Sequence, residues 1–145
     1  MNIYVPGMGN RDARIAIVAE APSFEEEQQL KPLVGPSGRL LNKLLFEAGI
    51  NRDECWVTNV SKYMVRPNPK KGKKTPFSIR AKEGNIDIQQ QLSDLRVELS
   101  QLPNLNLIIA LGGTALWGVT GIRSIKGYKA NGKPTYKPEG DGIIE

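Results

Sequence analysis

Residues 14–19, Arg14-Ile15-Ala16-Ile17-Val18-Ala19, form a short apolar run bounded by a cation at Arg14 and an anion at Glu20. A strand buried on both faces reads this way, because no position along it must meet water. Two further runs of the same kind follow, Cys55 to Val60 (CWVTNV) and Leu107 to Leu111 (LIIAL). The segments between them carry helical spacing. Leu40, Leu41, Leu44, Leu45 and Ala48 share one face, with Ser37 as the expected cap and Gly49 as the stop. Asp87 caps a second helix, in which Ile88, Leu92, Leu95, Leu99 and Leu102 form one stripe that Pro103 ends. Gly112-Gly113-Thr114 then turns the chain into a short helix around Ala115 to Val119. This alternation predicts an α/β protein, a three-layer α/β/α sandwich around a short, mostly parallel central sheet. Ligands of such sheets bind beyond the carboxyl ends of the strands. Glu20-Ala21-Pro22, Asn59 and Gly112-Gly113 fall there, and mark the expected crevice.

The length of 145 residues suits one domain with one core, spanning 1–145. A composition of 39% hydrophobic and 24% charged residues is that of a soluble globular chain. No apolar run approaches the roughly 18 to 20 residues needed to span a bilayer, so no membrane partner is expected. The first 13 residues lack the basic start and apolar stretch of a secretory signal, and a lone Cys55 cannot close an internal disulfide. A cytoplasmic location is the expectation. With no histidine and one cysteine, a zinc site, an iron–sulfur cluster, a Ser-His-Asp triad or a Cys-His dyad has no residues to be built from. No metal or cofactor is therefore expected, and the chemistry falls to carboxylates, amides, hydroxyls and backbone.

The net charge of +5 is local in origin. Residues 62–82 hold eight basic residues and no acidic one, which leaves 12 basic against 15 acidic residues elsewhere. Pro67, Pro69, Gly72 and Pro76 interrupt this segment and predict a mobile basic loop rather than a regular helix. Lys62, Arg66, Lys70, Lys71, Lys73 and Lys74 are its candidate phosphate contacts. A second basic stretch, Arg123 to Lys137, is also free of acid. Lysine loops of this kind also serve solubility alone, but two of them favour a polyanionic partner.

The loop Glu20 to Gly38 reverses the sign, with Glu20, Glu25, Glu26 and Glu27 within eight residues. Carboxylates beside a phosphate-binding surface oppose its electrostatics and need another reason to be there. A carboxylate that aligns a water and stabilises an oxocarbenium-like sugar supplies one. Glu20 and Glu26 are the candidates for that work, whereas Glu25 and Glu27 read equally as a solvated acidic loop or a divalent metal site. Gly35-Pro36-Ser37-Gly38 opens the first helix, where backbone N–H groups can receive a phosphate; a turn plus a cap explains the same residues.

In order, AEAPSFEEE, KPLVGPSGRLL, VTNVSKYMVRP and IIALGGTA resemble the motifs of the uracil-DNA glycosylase superfamily, most closely its family 4 and phage-type members, some fused to replication polymerases. The resemblance spans about residues 14 to 126. It implies that Glu20, Pro22 and Glu26 match the family's first motif, whose loop positions the hydrolytic water, while Ala19, Ser23 and Glu27 depart from Gly, Gly and Asp. It implies that Pro22, Leu33, Gly35 and Asn59 contact the target nucleotide, with Ser37 and Gly38 beside its backbone. Leu33 stands where an aromatic ring normally stacks on uracil, so base capture is expected to be weaker by up to about 1 to 3 kcal/mol. Asn59 matches the amide that reads the uracil edge.

Two departures accompany the matches. Family 4 enzymes hold an iron–sulfur cluster on four cysteines, yet Tyr63 occupies one of the cysteine positions and Cys55 is alone. The family's closing His-Pro-Ser or His-Pro-Ala motif does not occur, and Gly142 to Glu145 fall about where its strand begins, so the last strand and helix are expected to be missing. The sequence thus leaves open a glycosylase of uracil-containing or single-stranded DNA and a catalytically impaired DNA-binding module of phage replication or repair. That module would act with replication proteins or a missing C-terminal segment. A generic nucleotide-binding protein built on the Ser37 helix start is a third reading.

Overall fold

The computed structural model describes residues 2–66 and 75–121. Four strands, β1 (Met8–Gly9), β2 (Ile15–Ala19), β3 (Trp56–Asn59) and β4 (Leu107–Ala110), form one sheet in the order β1-β3-β2-β4. β2 lies at the centre and pairs in parallel with both β3 and β4, while β1 adds antiparallel to β3. The three apolar runs are thus the three parallel strands, and the two-residue β1 is too short for any sequence periodicity to register.

Strand alternation sends successive side chains to opposite layers. Ala16 and Val18 of β2, with Trp56, pack under Leu92, Leu95 and Leu99 of α4 (Ile88–Ser100) and Ala115 and Val119 of α5 (Gly113–Thr120). Ile17 and Ala19, with Val57, pack instead against Leu33 and against Leu41 and Leu45 of α2 (Pro36–Glu47). Helices therefore cover both faces, as the three-layer sandwich requires. Among the described residues no helix is long and apolar enough to cross a membrane.

Three local expectations need correction. Helix α2 begins two residues early, with Gly35 as its cap and Pro36 in the first helical position, so Ser37 lies inside the first turn. Proline's fixed φ and missing N–H suit that position, which is why it displaces serine as the starting signal. The acidic loop contains a helix, α1 (Phe24–Gln29), which carries Glu25, Glu26 and Glu27 in its first turn, where the helix dipole favours negative charge. The basic segment is not all loop either: Pro76 caps α3 (Phe77–Glu83), since a proline that breaks a helix interior can still begin one. Lys70, Lys71, Lys73 and Lys74 lie outside the described residues, as do the second basic stretch and the region of the expected last strand and helix.

Asp87 caps α4 as the sequence suggests, its carboxylate accepting from the backbone N–H of Gln89 at 3.0 Å and of Gln90 at 3.1 Å. Replacing Asp87 by Ala leaves both donors to water and is expected to cost about 1 kcal/mol, measured as a lowered denaturant midpoint at unchanged slope.

Candidate functional site at the carboxyl ends of the strands

Parallel pairing brings the functional residues to one level. Ala19 lies opposite Asn59 across β2 and β3. The pairing continues past the strands: Val60 N–H donates to the Ala19 carbonyl at 2.8 Å, and Ser61 N–H to the Glu20 carbonyl at 3.0 Å. On the other side, Leu111 N–H donates to Val18 O at 2.9 Å, which delivers the start of α5 to the same edge.

The Glu20 carboxylate is half-exposed and held from two directions. Thr114 Oγ1 donates to Oε2 at 2.6 Å, and Arg80 Nη2 lies 3.5 Å from Oε1. Arg80 is itself fixed, donating to the carbonyls of Thr75 and Val65 and lying over the Phe77 ring at 5.8 Å. Neither Thr114 nor Arg80 stood out in the sequence as a site residue. Thr114 had a signal in following Gly112-Gly113 at a strand end, while Arg80 was one cation among eight.

The other acidic side chains face different tasks. Glu26 is buried, and its carboxylate accepts from Ser23 N–H at 2.9 Å and Gly35 N–H at 3.5 Å, tying the first motif to the Pro32–Gly35 turn that follows it. Glu27 is buried and paired with Arg66 at 2.9 Å; Glu25 pairs with Arg39 at the surface. Pro22 and Gly35 are buried beside this turn. Ser37 is exposed on the first turn of α2.

Leu33 adopts φ of 51°, a left-handed conformation rare for a side chain of its size, and is buried in the apolar layer under α2. Arg52 fixes it. One guanidinium donates to the carbonyls of Leu33 at 2.8 Å and Pro32 at 2.9 Å, and to Asn42 Oδ1 at 2.6 Å. Gly38 is buried against the same turn, where a Cβ would be driven into the Leu33 carbonyl. The Leu33 side chain therefore points to the core rather than forming an open platform for a base.

Asn59 is 2% exposed at the end of β3, and its Oδ1 has no hydrogen-bond partner. Its backbone carbonyl accepts from Lys62 Nζ at 2.6 Å. Lys62, expected to meet phosphate, is instead buried and paired with Glu98 Oε1 at 2.8 Å, while its N–H donates to Gln91 Oε1 at 2.7 Å. Glu98 also accepts from Trp56 Nε1 and Thr58 Oγ1, so one carboxylate holds the ammonium and two neighbouring side chains of β3. Burial lowers the Lys62 pKa from its ordinary value, with Glu98 opposing the shift. Arg66 stays exposed although one of its nitrogens holds Glu27.

The four-cysteine cluster implied by the resemblance does not fit these residues. The chain's one cysteine, Cys55, is buried just before β3, at the opposite end of that strand from Tyr63. Tyr63 packs edge-on against Tyr4, with ring centroids 5.6 Å apart, beside Val65 and Ile86. Among the described residues no three His, Cys, Asp or Glu side chains group as metal ligands.

The family model for the uracil DNA glycosylase superfamily matches residues 6–141. The chain is 34% identical over 109 residues to a type-4 uracil-DNA glycosylase of Archaeoglobus fulgidus, covering 75% of this chain and 48% of that protein. It is 35% identical over 132 residues to the type-4 uracil-DNA glycosylase of Thermotoga maritima, covering 90% and 61%. A DNA polymerase of Bacillus phage SP01 is 39% identical over 75 residues, which is 51% of this chain and 8% of the polymerase. The chain thus spans about half to three-fifths of the length of the two glycosylases.

The Lys62–Glu98 pair makes a sharp expectation. Glu98→Gln keeps the shape but leaves a buried ammonium without its counter-charge, at an expected cost of about 3–5 kcal/mol. Because the folded pKa of Lys62 lies below 10.5, the unfolded chain holds the extra proton between the two values, and stability rises with pH there. Denaturant titrations of the variant across alkaline pH should show the deficit shrinking toward pH 10.5, relative to the parent.

Proposed function

This chain belongs to the uracil-DNA glycosylase superfamily, and from that premise we propose that it binds DNA and hydrolyses the N-glycosidic bond of uracil. The observation that carries the proposal is the buried, unpartnered Oδ1 of Asn59 beside Glu20. A buried polar atom without a partner costs about 1–3 kcal/mol, and a ligand edge that supplies the missing donor recovers it. Uracil has that edge: its N3–H donates to Oδ1, while its carbonyl accepts from the Asn59 amide. The base reaches the site by leaving its stack, through a loop whose neighbours are basic.

Glu20 is the carboxylate that aligns the water. Thr114 and Arg80 fix its orientation, and its charge stabilises the positive sugar that forms as the base departs. The base leaves with the bonding electrons, and water supplies hydroxide to the anomeric carbon and a proton to the carboxylate. Glu26, the other candidate, has its oxygens turned to two backbone N–H groups, so in this proposal it shapes the loop and Glu20 acts alone. No metal or cluster takes part in these steps. Lys70, Lys71, Lys73 and Lys74, with Arg66, supply the phosphate contacts, and Ser37 and Gly38 border the nucleotide. The setting is the cytoplasm of a bacterial or phage-infected cell.

The second reading, a DNA-binding module of phage replication acting with replication proteins or a further C-terminal segment, is favoured by the matching region of the SP01 polymerase and by the inward-facing Leu33. Single-turnover release of uracil from a defined oligonucleotide in EDTA separates the two. Glu20→Gln should lower the rate by about 10²-fold or more, and Asn59→Asp should impair release because a carboxylate cannot donate to the base. Glu26→Gln should chiefly lower stability. DNA binding without release in the parent chain establishes the module instead. Neutralising Lys70, Lys71, Lys73 and Lys74 should weaken binding and flatten its salt dependence by up to about 0.7–0.9 in slope for each phosphate no longer neutralised; an unchanged slope removes that loop from the interface.

A further inference from the structure

A cavity of about 410 Å³ opens at the same edge of the sheet, between the start of α3, the start of α4 and the first turns of α5. Its volume falls in the ordinary range for small-ligand sites, roughly 300–1,000 Å³. Phe77, Ile88 and Trp117 make its apolar wall, and Ser78, Gln89 and Thr114 its polar rim. None of the described residues that line it is charged. Ile88 and Trp117 also pack on the α4–α5 core, and Phe77 on the cluster around Val65, Ala81 and Ile86, so the two rings are held by separate pieces of core while remaining half-exposed to the cavity.

The lining defines the ligand. Two aromatic rings in a wall with no charged lining residue, the nearby Arg80 being engaged by Glu20, favour a flat, neutral partner over a phosphate or a carboxylate, and an amide with two hydroxyls on the rim offers hydrogen bonds to a polar edge. A nucleobase has this combination of face and edge. The position defines which one. Thr114 both lines the cavity and donates to Glu20, and Arg80 spans from the Phe77 ring to the other Glu20 oxygen. A ligand in the cavity is therefore one side chain away from the carboxylate that faces the target sugar.

We propose that this cavity receives a nucleobase adjacent, along the same strand, to the nucleotide held at Glu20 and Asn59. The inference rests on the glycosylase-type placement of the target at those residues. It supplies through Phe77 and Trp117 the base stacking that the inward-facing Leu33 does not. The site is a stacking pocket for single-stranded or locally unstacked DNA, with Gln89 and Ser78 at the edge of the base.

Equilibrium binding of uracil-containing single-stranded oligonucleotides tests this without depending on release of uracil. In a series, each nucleotide flanking the uracil is replaced in turn by a tetrahydrofuran abasic residue, which removes a base and keeps its phosphate, so the electrostatic contribution is constant. One flanking position is expected to weaken binding by about 5- to 150-fold, the equivalent of one stacked base at roughly 1–3 kcal/mol. That sensitivity should vanish in Phe77→Ala and diminish in Gln89→Ala, a surface substitution that leaves the core untouched. A flat abasic series in the parent chain overturns the proposal, as does a sensitivity that survives undiminished in both variants, or a parent chain that binds no DNA. A position-dependent loss in a chain that releases no uracil retains the pocket and rejects the activity; release with a flat series does the reverse.

Discussion

The register between β2 and its two parallel neighbours is the constraint on which the rest of this molecule depends. With Ala19 opposite Asn59 and Val18 opposite Ala110, three chain segments leave the sheet at one level, and Glu20, Asn59 and the start of α5 meet there. A slip of one residue would exchange the two faces of β2, driving Ile17 and Ala19 into the layer of α4 and Ala16 and Val18 into that of α2. Because both layers are tightly filled by residues of different size, the register is enforced by packing on two sides at once. The site inherits its geometry from the core.

A buried ion pair completes that arrangement on one side. Glu98 gathers Lys62, Trp56 and Thr58 around one carboxylate, and Lys62 carries the connection to the Asn59 carbonyl. Gly7 passes so close to this carboxylate that a side chain there would strike it. Such a pair adds little net stability over an apolar substitute, since desolvation consumes most of the attraction. What it does is direct: the ammonium ties the Asn59 carbonyl to Glu98, so the Asn59 amide is presented from a backbone anchored on two sides.

Much of this was legible in the sequence, and the limits have physical causes. Strands buried on both faces, and helices with one apolar stripe, leave periodic traces that Ile15 to Ala19, Leu41 with Leu45, and Leu92 with Leu95 and Leu99 display plainly. Asp87 worked as a cap because its signal is local. Lys62 misled for the opposite reason: its burial depends on Glu98, 36 positions away, and a cation in a basic run looks like a surface cation until that partner is known. The acidic loop misled likewise, since a run of glutamates gives no sign that Glu26 holds backbone N–H groups and Glu27 holds Arg66. Thr114 and Arg80 became site residues only when β4 and α3 brought them to Glu20.

The turn at Leu33 shows how the site offsets a cost incurred within it. A left-handed conformation at a residue of this kind costs on the order of 1–3 kcal/mol and persists only where its surroundings over-determine it. Here the surroundings are a guanidinium donating to two successive carbonyls, a glycine that lets α2 close on the turn, and an apolar layer that takes the Leu33 side chain. Hydrogen bonds to a charged group contribute about 1.5–3 kcal/mol each, enough for Arg52 to offset the strain even after its own partial burial, which lowers its pKa, is counted. The consequence is positional. Holding the backbone in this shape brings Gly35 N–H to Glu26 and sends the Leu33 side chain inward, so the turn serves the first motif by its main chain and gives up its side chain as a surface for bases. Aromatic surface at the carboxyl edge then comes from Phe77 and Trp117, on elements that the strained turn does not touch.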